Sequence, residues 1–185
     1  YLRDHNKTDE AYQKAVENFT YSCAGYCVAT YVMGIGDRHN DNIMLTHDGH
    51  LFHIDFGHIL GNFKFKYGFK RERSAFVFTP EMAYVMGGKN YESSQMFKEF
   101  KQICYNAFLC LRRHASDLEN LFGAMLGAGL PELTIDDLQY LRQQLCLELT
   151  DAKAIDMFKQ EIKKALSATS RRVDNYFHLL KHAKT

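Results

Sequence analysis

Apolar residues return at helical spacing through most of this chain, and that period restricts its fold class more than any other feature. The clearest run opens at Thr8, a residue able to cap a helix, before Asp9 and Glu10, which suit the positive end of a helix dipole. Tyr12, Val16, Phe19, Cys23, Cys27 and Tyr31 then predict one long, mostly buried helix that closes near Gly34. From Pro80 the period resumes. Phe97, Phe100, Cys104, Phe108 and Leu111 make one stripe, extended by Leu118, Phe122 and Met125, and Gly127, Gly129 and Pro131 break it. Thr134 caps a helix carrying Leu138, Leu141, Leu145 and Leu149; Thr150 starts another with Ile155, Phe158, Ile162 and Leu166. A last short helix is expected to hold Val173, Tyr176, Phe177 and Leu180.

Between the helical stretches, from Gly34 to Thr79, glycines, charges and histidines cluster instead. Asn42 to Phe56 reads as a β-hairpin whose turn is Asp48-Gly49, a dipeptide favoured in two-residue type I′ turns. The expected fold class is mostly α with a small β-hairpin inserted. Composition agrees: 46% hydrophobic and 24% charged residues are ordinary globular values and exclude a disordered or collagen-like chain. With 23 Lys+Arg against 22 Asp+Glu, a generally basic nucleic-acid binder is excluded, so no nucleic-acid partner is expected. Five cysteines, an odd number without a CxxC pair, fit a reducing cytosol rather than a disulfide or zinc framework, and Cys23 and Cys27 on the long helix fit core packing. No apolar run has the length of a membrane span, and the first residues lack signal-peptide character.

The chemistry-bearing residues lie at the hairpin's open end. With Asp48 and Gly49 as the loop, His47 pairs with His50, Leu45 with Phe52, Ile43 with Ile54 and Asn42 with Asp55. Directly opposed residues have Cβ atoms roughly 4.5–5.5 Å apart. An amide oxygen and a carboxylate would therefore converge, and such hard oxygen ligands suit Mg²⁺, which takes its remaining ligands from water and nucleotide phosphates. Asp37 lies just upstream, within reach of the same metal or of a reacting hydroxyl. The five-residue step from Asp37 to Asn42, then Asp55-Phe56-Gly57, matches the protein-kinase logic of a catalytic-loop aspartate, a metal-binding asparagine and a second metal-binding aspartate. One detail departs from it: protein kinases read His-Arg-Asp where this chain reads Asp37-Arg38-His39.

That reversal carries a resemblance. GDRHNDN (Gly36 to Asn42) followed by HIDFGH (His53 to His58) resembles the phosphoinositide 3-kinase catalytic domain, as do SCAGYCVATYVMGIG (Ser22 to Gly36), FKRER (Phe69 to Arg73) and GLPEL (Gly129 to Leu133). The resemblance covers essentially the whole chain, residues 1–185. It implies the C-terminal lobe of a two-lobed, protein-kinase-like lipid kinase domain. Residues 34–58 would be the catalytic loop and metal-binding hairpin, 59–79 the activation loop and 80–185 the helical remainder. It implies ATP and Mg²⁺ as cofactors, with Asn42 and Asp55 binding the metal. Asp37 would be the catalytic-loop aspartate, His39 would lie near the transferred phosphate, and His58 is a candidate for accepting the proton of the inositol 3-hydroxyl, with the base left open among Asp37, His39 and His58. Met44 and Ile54 match the Met and Ile beneath the adenine; ordinary core packing is the other reading of these two.

The activation-loop segment holds five cations, Lys64, Lys66, Lys70, Arg71 and Arg73, against one acid, Glu72, interleaved with Phe63, Phe65, Tyr67 and Phe69. Cations placed there meet phosphates of a phosphoinositide headgroup. In the family, two such clusters go with acceptance of a bis-phosphorylated lipid, phosphatidylinositol 4,5-bisphosphate, which favours class I; Glu81 to Gly88 resembles class II. Tyr176 and Phe177, beside Arg171, Arg172, Lys181 and Lys184, are expected to touch an anionic membrane or to pack on the lobe. The implied protein is cytoplasmic and peripherally membrane-associated, with a regulatory subunit as a further partner. No glycine-rich phosphate loop or strand lysine precedes the catalytic segment, so the chain reads as a lobe with little activity alone. The competing readings are a phosphatidylinositol 4-kinase or other related phosphotransferase, a non-catalytic kinase-like scaffold, and, last, a metal-dependent hydrolase built on His39, His53 and His58.

Overall fold

A computed structural model describes residues 1–61, 74–128 and 134–168, together with the backbone of 65–66 and 69–70. A short helix α1 (Leu2–His5) leads into α2 (Asp9–Met33). Thr8 caps α2 by accepting from Ala11 N at 3.2 Å, and Gly34, at φ 56°, ends it. A left-handed residue there costs least as glycine. The helix is buried along most of its second half, through Phe19, Cys23, Cys27, Val28, Tyr31 and Val32.

Helix α3 (Pro80–Val85) is capped by Thr79 and begins with proline, whose missing N–H costs nothing there. The long helix α4 (Gln95–Arg113), capped by Ser94, lies across α2 and buries Phe97, Phe100, Cys104 and Phe108 against it. The stripe does not run on unbroken. His114 leaves helical geometry, its N–H shared between the carbonyls of Cys110 and Leu111, and α5 (Ala115–Gly127) starts as a separate helix. Leu118 and Phe122 still pack on the core, while Met125 is exposed. Helix α6 (Ile135–Leu145) opens with a capping box between Thr134 and Asp137, and α7 (Asp151–Ser167) is capped by Thr150. Arg112 holds the α6–α7 turn, donating to the carbonyl oxygens of Leu145, Cys146 (2.6 Å) and Leu149 (2.8 Å) and to Asp151 Oδ1 (3.1 Å). Phe108, Phe158, Phe76 and Tyr31 form the aromatic centre of the core, with Phe158 5.1 Å from both Phe108 and Tyr31. Cys23 and Cys27 are buried, as core packing predicts, and so are Cys104 and Cys146, while Cys110 is exposed.

The hairpin is present, β1 (Ile43–Leu45) against β2 (Leu51–His53), but its register differs from expectation by one residue. Ile43 faces His53, Met44 faces Phe52 and Leu45 faces Leu51. The loop has three residues, His47, Asp48 and Gly49, rather than two. Gly49 N donates back to Thr46 O at 3.2 Å, Thr46 N donates to His50 O at 2.9 Å, and Gly49 takes φ 97°. This is the three-residue pattern that needs a glycine at its positive-φ position. Thr46 decides the outcome: its Oγ1 accepts from His50 N at 2.8 Å and donates to Asp48 Oδ1 at 2.5 Å. The loop is also tied to the helices. Asn6 Nδ2 donates to His47 O at 2.8 Å and Asn18 Nδ2 to Asp48 O at 2.9 Å, while a Cβ on Gly49 would sit 2.1 Å from Ala15 O.

A second small antiparallel pair, β3 (Phe65–Lys66) with β4 (Phe69–Lys70), follows in the segment 59–79. It carries the backbone of Lys66 and Lys70. Lys64, Arg71, Arg73, the Gly129 to Leu133 motif and the expected last helix with Tyr176 and Phe177 lie outside the described residues.

Candidate functional site

The site lies where the chain leaves α2 and where it leaves the hairpin. These two stretches run side by side: Leu60 N donates to Met33 O at 2.7 Å and Gly36 N to His58 O at 2.9 Å. Asp37 follows with φ 54° and Asp55 with φ 59°, both in the left-handed region that side-chain-bearing residues seldom enter. Two carboxylate residues so placed within one site require strong support from their surroundings.

Arg38 supplies that support. Its guanidinium donates to the carbonyl oxygens of Gly36 (2.8 Å), Ile54 (2.7 Å) and Asp55, tying the Asp37 loop to the end of the hairpin. Its charge centre also lies 5.7 Å from the Phe56 ring. Burial pushes the Arg38 guanidinium down from its ordinary value, and the Asp55 and Asp37 carboxylates oppose that shift. Both carboxylates are therefore within electrostatic reach of one cation. In the sequence Arg38 is marked only as the middle of Asp37-Arg38-His39, because residue type alone does not separate a clamp from a solvated arginine.

Asn42 is buried, at 2% exposure, in a 3₁₀ turn over Asn40–Asn42. Its Nδ2 donates to Asp37 O at 2.7 Å, and its Oδ1 accepts from His39 N at 3.0 Å. The amide thus fixes the loop that carries Asp37 and His39. The expected pairing of Asn42 with Asp55 is corrected by the register: Ile54 N donates to Asn42 O at 3.0 Å, which makes Ile54 the partner of Asn42 and puts Asp55 one residue beyond. Thr46 and the three-residue loop are the cause. Asp55 is exposed, and its Oδ1 accepts weakly from Gly57 N at 3.4 Å.

The same shift has a second consequence. A one-residue slip exchanges the faces of a strand relative to its partner. In the observed register Met44, Phe52 and Ile54 share one face, whereas the expected register puts Met44 and Ile54 on opposite faces. Met44 and Ile54 are exposed at 43% and 41%, so neither belongs to the core. Ile43, Leu45, Leu51 and His53 take the inner face.

His39 is exposed, with Nδ1 accepting from Asp41 N at 3.3 Å. His58 is half-buried. His53 is buried and stacked on Tyr26 with ring centroids 4.7 Å apart, and its Nδ1 has no hydrogen-bond partner. Burial, helped by the nearby Arg38 charge, lowers its pKa to about 4, so it is neutral at physiological pH. These three histidines are not gathered: among the described residues no group of three or more His, Cys, Asp or Glu side chains is placed to hold a metal ion.

The family model described as Phosphatidylinositol 3- and 4-kinase matches residues 1–135. The chain belongs to the phosphatidylinositol 3- and 4-kinase family. It is 52% identical over 184 residues to Phosphatidylinositol 3-kinase 1 of Dictyostelium discoideum, covering 99% of this chain and 12% of that protein. It is 51% identical over 185 residues to Phosphatidylinositol 3-kinase 3 of the same organism, covering 100% of this chain and 11% of that protein. Against the Homo sapiens protein named Phosphatidylinositol 4-phosphate 3-kinase C2 domain-containing subunit beta, the identity is 45% over 185 residues, 100% of this chain and 11% of that protein. The chain thus spans roughly a tenth of the length of these relatives.

Family membership and the observed helices with their small hairpin bear out the expected mostly helical, kinase-like lipid kinase fold. The family works by ATP-dependent phosphoryl transfer to phosphoinositide lipids, generally with Mg²⁺. No helix among the described residues is long and apolar enough to cross a membrane.

Proposed function

We propose that this chain carries the phosphoryl-transfer machinery of a phosphoinositide 3-kinase, with phosphatidylinositol 4,5-bisphosphate as acceptor. The observation that supports it best is the joint support of Asp37, Asn42 and Asp55. Arg38 ties the carbonyls beside Asp37 and at Asp55 together, and the Asn42 amide holds the Asp37 loop. The donors on offer, an amide oxygen and a carboxylate, are hard oxygen ligands of the kind Mg²⁺ prefers. Asn42 Oδ1 and Asp55 would hold the metal, which supplies charge neutralisation on the nucleotide phosphates.

This chain's own groups do the rest. The outer hairpin face, with Met44 and Ile54 exposed and Phe52 half-buried between them, offers an apolar surface for adenine. Asp37 and His58 come from the two strands of chain that run side by side, and His39 lies exposed on the same loop. Asp37 orients the attacking hydroxyl, His58 takes its proton and His39 faces the transferred phosphate. Lys64, Lys66, Lys70, Arg71 and Arg73 meet the headgroup phosphates, because each added phosphate gains charge-assisted hydrogen bonds. Tyr176 and Phe177 contribute membrane contact for a peripherally bound cytoplasmic enzyme.

The test uses the full-length kinase and vesicles carrying either phosphatidylinositol or its 4,5-bisphosphate. The wild type turns over the bisphosphate faster. Asp55→Asn loses about a hundredfold or more in kcat on both lipids, the scale of removing one preorganised charge-stabilising group, with an unchanged melting temperature. Retained turnover in that variant removes Asp55 from the metal site, and equal rates on the two lipids remove the bisphosphate as preferred acceptor.

A further inference from the structure

Helix α6 lies outside the site, yet one of its side chains reaches both ends of the catalytic segment. The ring of Tyr140 lies against Gly34, where a Cβ would fall 2.5 Å from Cε1 and 2.6 Å from the hydroxyl oxygen. Its other edge lies against Gly61, where a Cβ would fall 2.8 Å from Cδ2 and 3.1 Å from Cε2. Both glycines have positive φ, 56° and 87°. Gly34 ends α2 at the entry to the Asp37 loop, and Gly61 is the last described residue before β3. The ring is therefore wedged at the seam where Leu60 N bonds Met33 O and Gly36 N bonds His58 O.

The helix behind the ring is fixed. Leu141 and Leu145 are fully buried, the Arg142 guanidinium grips Glu119 through two bonds of 2.7 and 2.8 Å, and Arg112 holds the helix's last carbonyls. Burial raises the Tyr140 phenol to about 12, so the ring is neutral in this seam. A ring on a rigid helix that excludes any larger residue from two facing glycines sets the distance between them. Asp37 stands three residues from Gly34 and His58 three residues from Gly61.

The structure assigns to Tyr140 the role of a positioning residue, which holds the Asp37 and His58 sides of the site in register from helix α6; this rests on the proposed phosphoinositide kinase reaction. Tyr140→Leu removes the ring edges that meet both glycines, whereas Tyr140→Phe keeps them. In the full-length kinase, Tyr140→Leu is expected to lower kcat at least tenfold with little change in the KM for ATP, because the Met44 and Ile54 face is held by the hairpin ladder. Tyr140→Phe restores kcat to within about threefold.

A loss of overall stability could lower kcat as well, so hydrogen exchange separates the two causes. In Tyr140→Leu the amides of Gly36 and Leu60 should exchange at least tenfold faster, while those of residues 97–108 in α4 keep their wild-type rates. Gly61→Ala, which drives a Cβ into the same ring, should give the same local signature should Tyr140→Leu not fold. Faster exchange throughout α4 overturns the proposal, since Tyr140 would then be an ordinary core residue. Unchanged Gly36 and Leu60 rates overturn it, as does local exchange with undiminished kcat. A wild-type kinase inactive on every phosphoinositide fails the proposed reaction instead, and the exchange comparison still reads the tie by itself.

Discussion

The helical core and the segment from Gly34 to Gly61 are held together by different forces. Phe100, Cys104, Phe108 and Phe158 are fully buried and owe their places to apolar area and close packing. In the segment, Arg38, Asn42 and Thr46 hold the backbone by directional bonds from side chain to main chain, and Asp37 and Asp55 keep positive φ. The core can absorb a change of similar shape because dispersion has no direction. The segment cannot, since each bond there has one donor, one acceptor and one geometry. Shape comes from the first region and chemistry from the second.

The largest test of this contrast lies in the core. Phe108→Ala opens a void beside Tyr31 and Phe158 and should cost about 3–5 kcal/mol, read from the denaturant midpoint. Molecules that remain folded should keep the wild-type KM for ATP. A cost below about 1 kcal/mol breaks the comparison, because packing would not then be what holds the core.

Next in size is an acid limb from His53, the one inner-face hairpin residue that can titrate. Its folded pKa of about 4 lies below its ordinary 6.5. The unfolded chain therefore takes up the proton first as pH falls. Stability is intact above pH 6.5 and declines until about pH 4, by about 2–3 kcal/mol in all. His53→Phe retains a ring for Tyr26 and removes both nitrogens. Unfolding midpoints at pH 7.5 and 4.5 should differ less in the variant by that amount; an identical pH dependence in both proteins assigns the acid loss to other groups.

The smallest effect is at the turn. Thr46→Val deletes the hydroxyl that serves His50 N and Asp48 Oδ1, at a cost of about 1 kcal/mol. Cross-strand contacts between Ile43 and His53, measured by nuclear Overhauser effects, should weaken. An unchanged stability and an unchanged contact pattern would show that the ladder alone sets the register.

Legibility in the sequence follows the same division. The helix from Asp9 to Met33 can be read from Thr8, Gly34 and the apolar period, because capping and amphipathic burial act over short, regular spacings. The starts of α6 and α7 at Thr134 and Thr150 are legible for the same reason. The hairpin's existence is legible too, but its register is not. Asp48-Gly49 satisfies both a two-residue and a three-residue loop, and the choice rests on a hydroxyl at Thr46 that no period reports. The break at His114 escapes for a related cause, since Leu118 and Phe122 keep packing on the core across it. Asp37, Asn42 and Asp55 stand out by spacing, whereas the part of Arg38 is visible only once its three carbonyl partners are in place.

The hairpin tip has a bearing on protein engineering. Exposed turns are ordinarily where a chain absorbs extra residues. Here each of the three turn residues is bound to the helical body, His47 by Asn6, Asp48 by Asn18, and Gly49 by its close approach to Ala15. An added residue has no slack to occupy without releasing one of those ties and, with it, the alignment of Met44 and Ile54. The tip is thus a closed address for epitope tags and fused reporters, and its length is as much a part of the proposed nucleotide face as the side chains that line it.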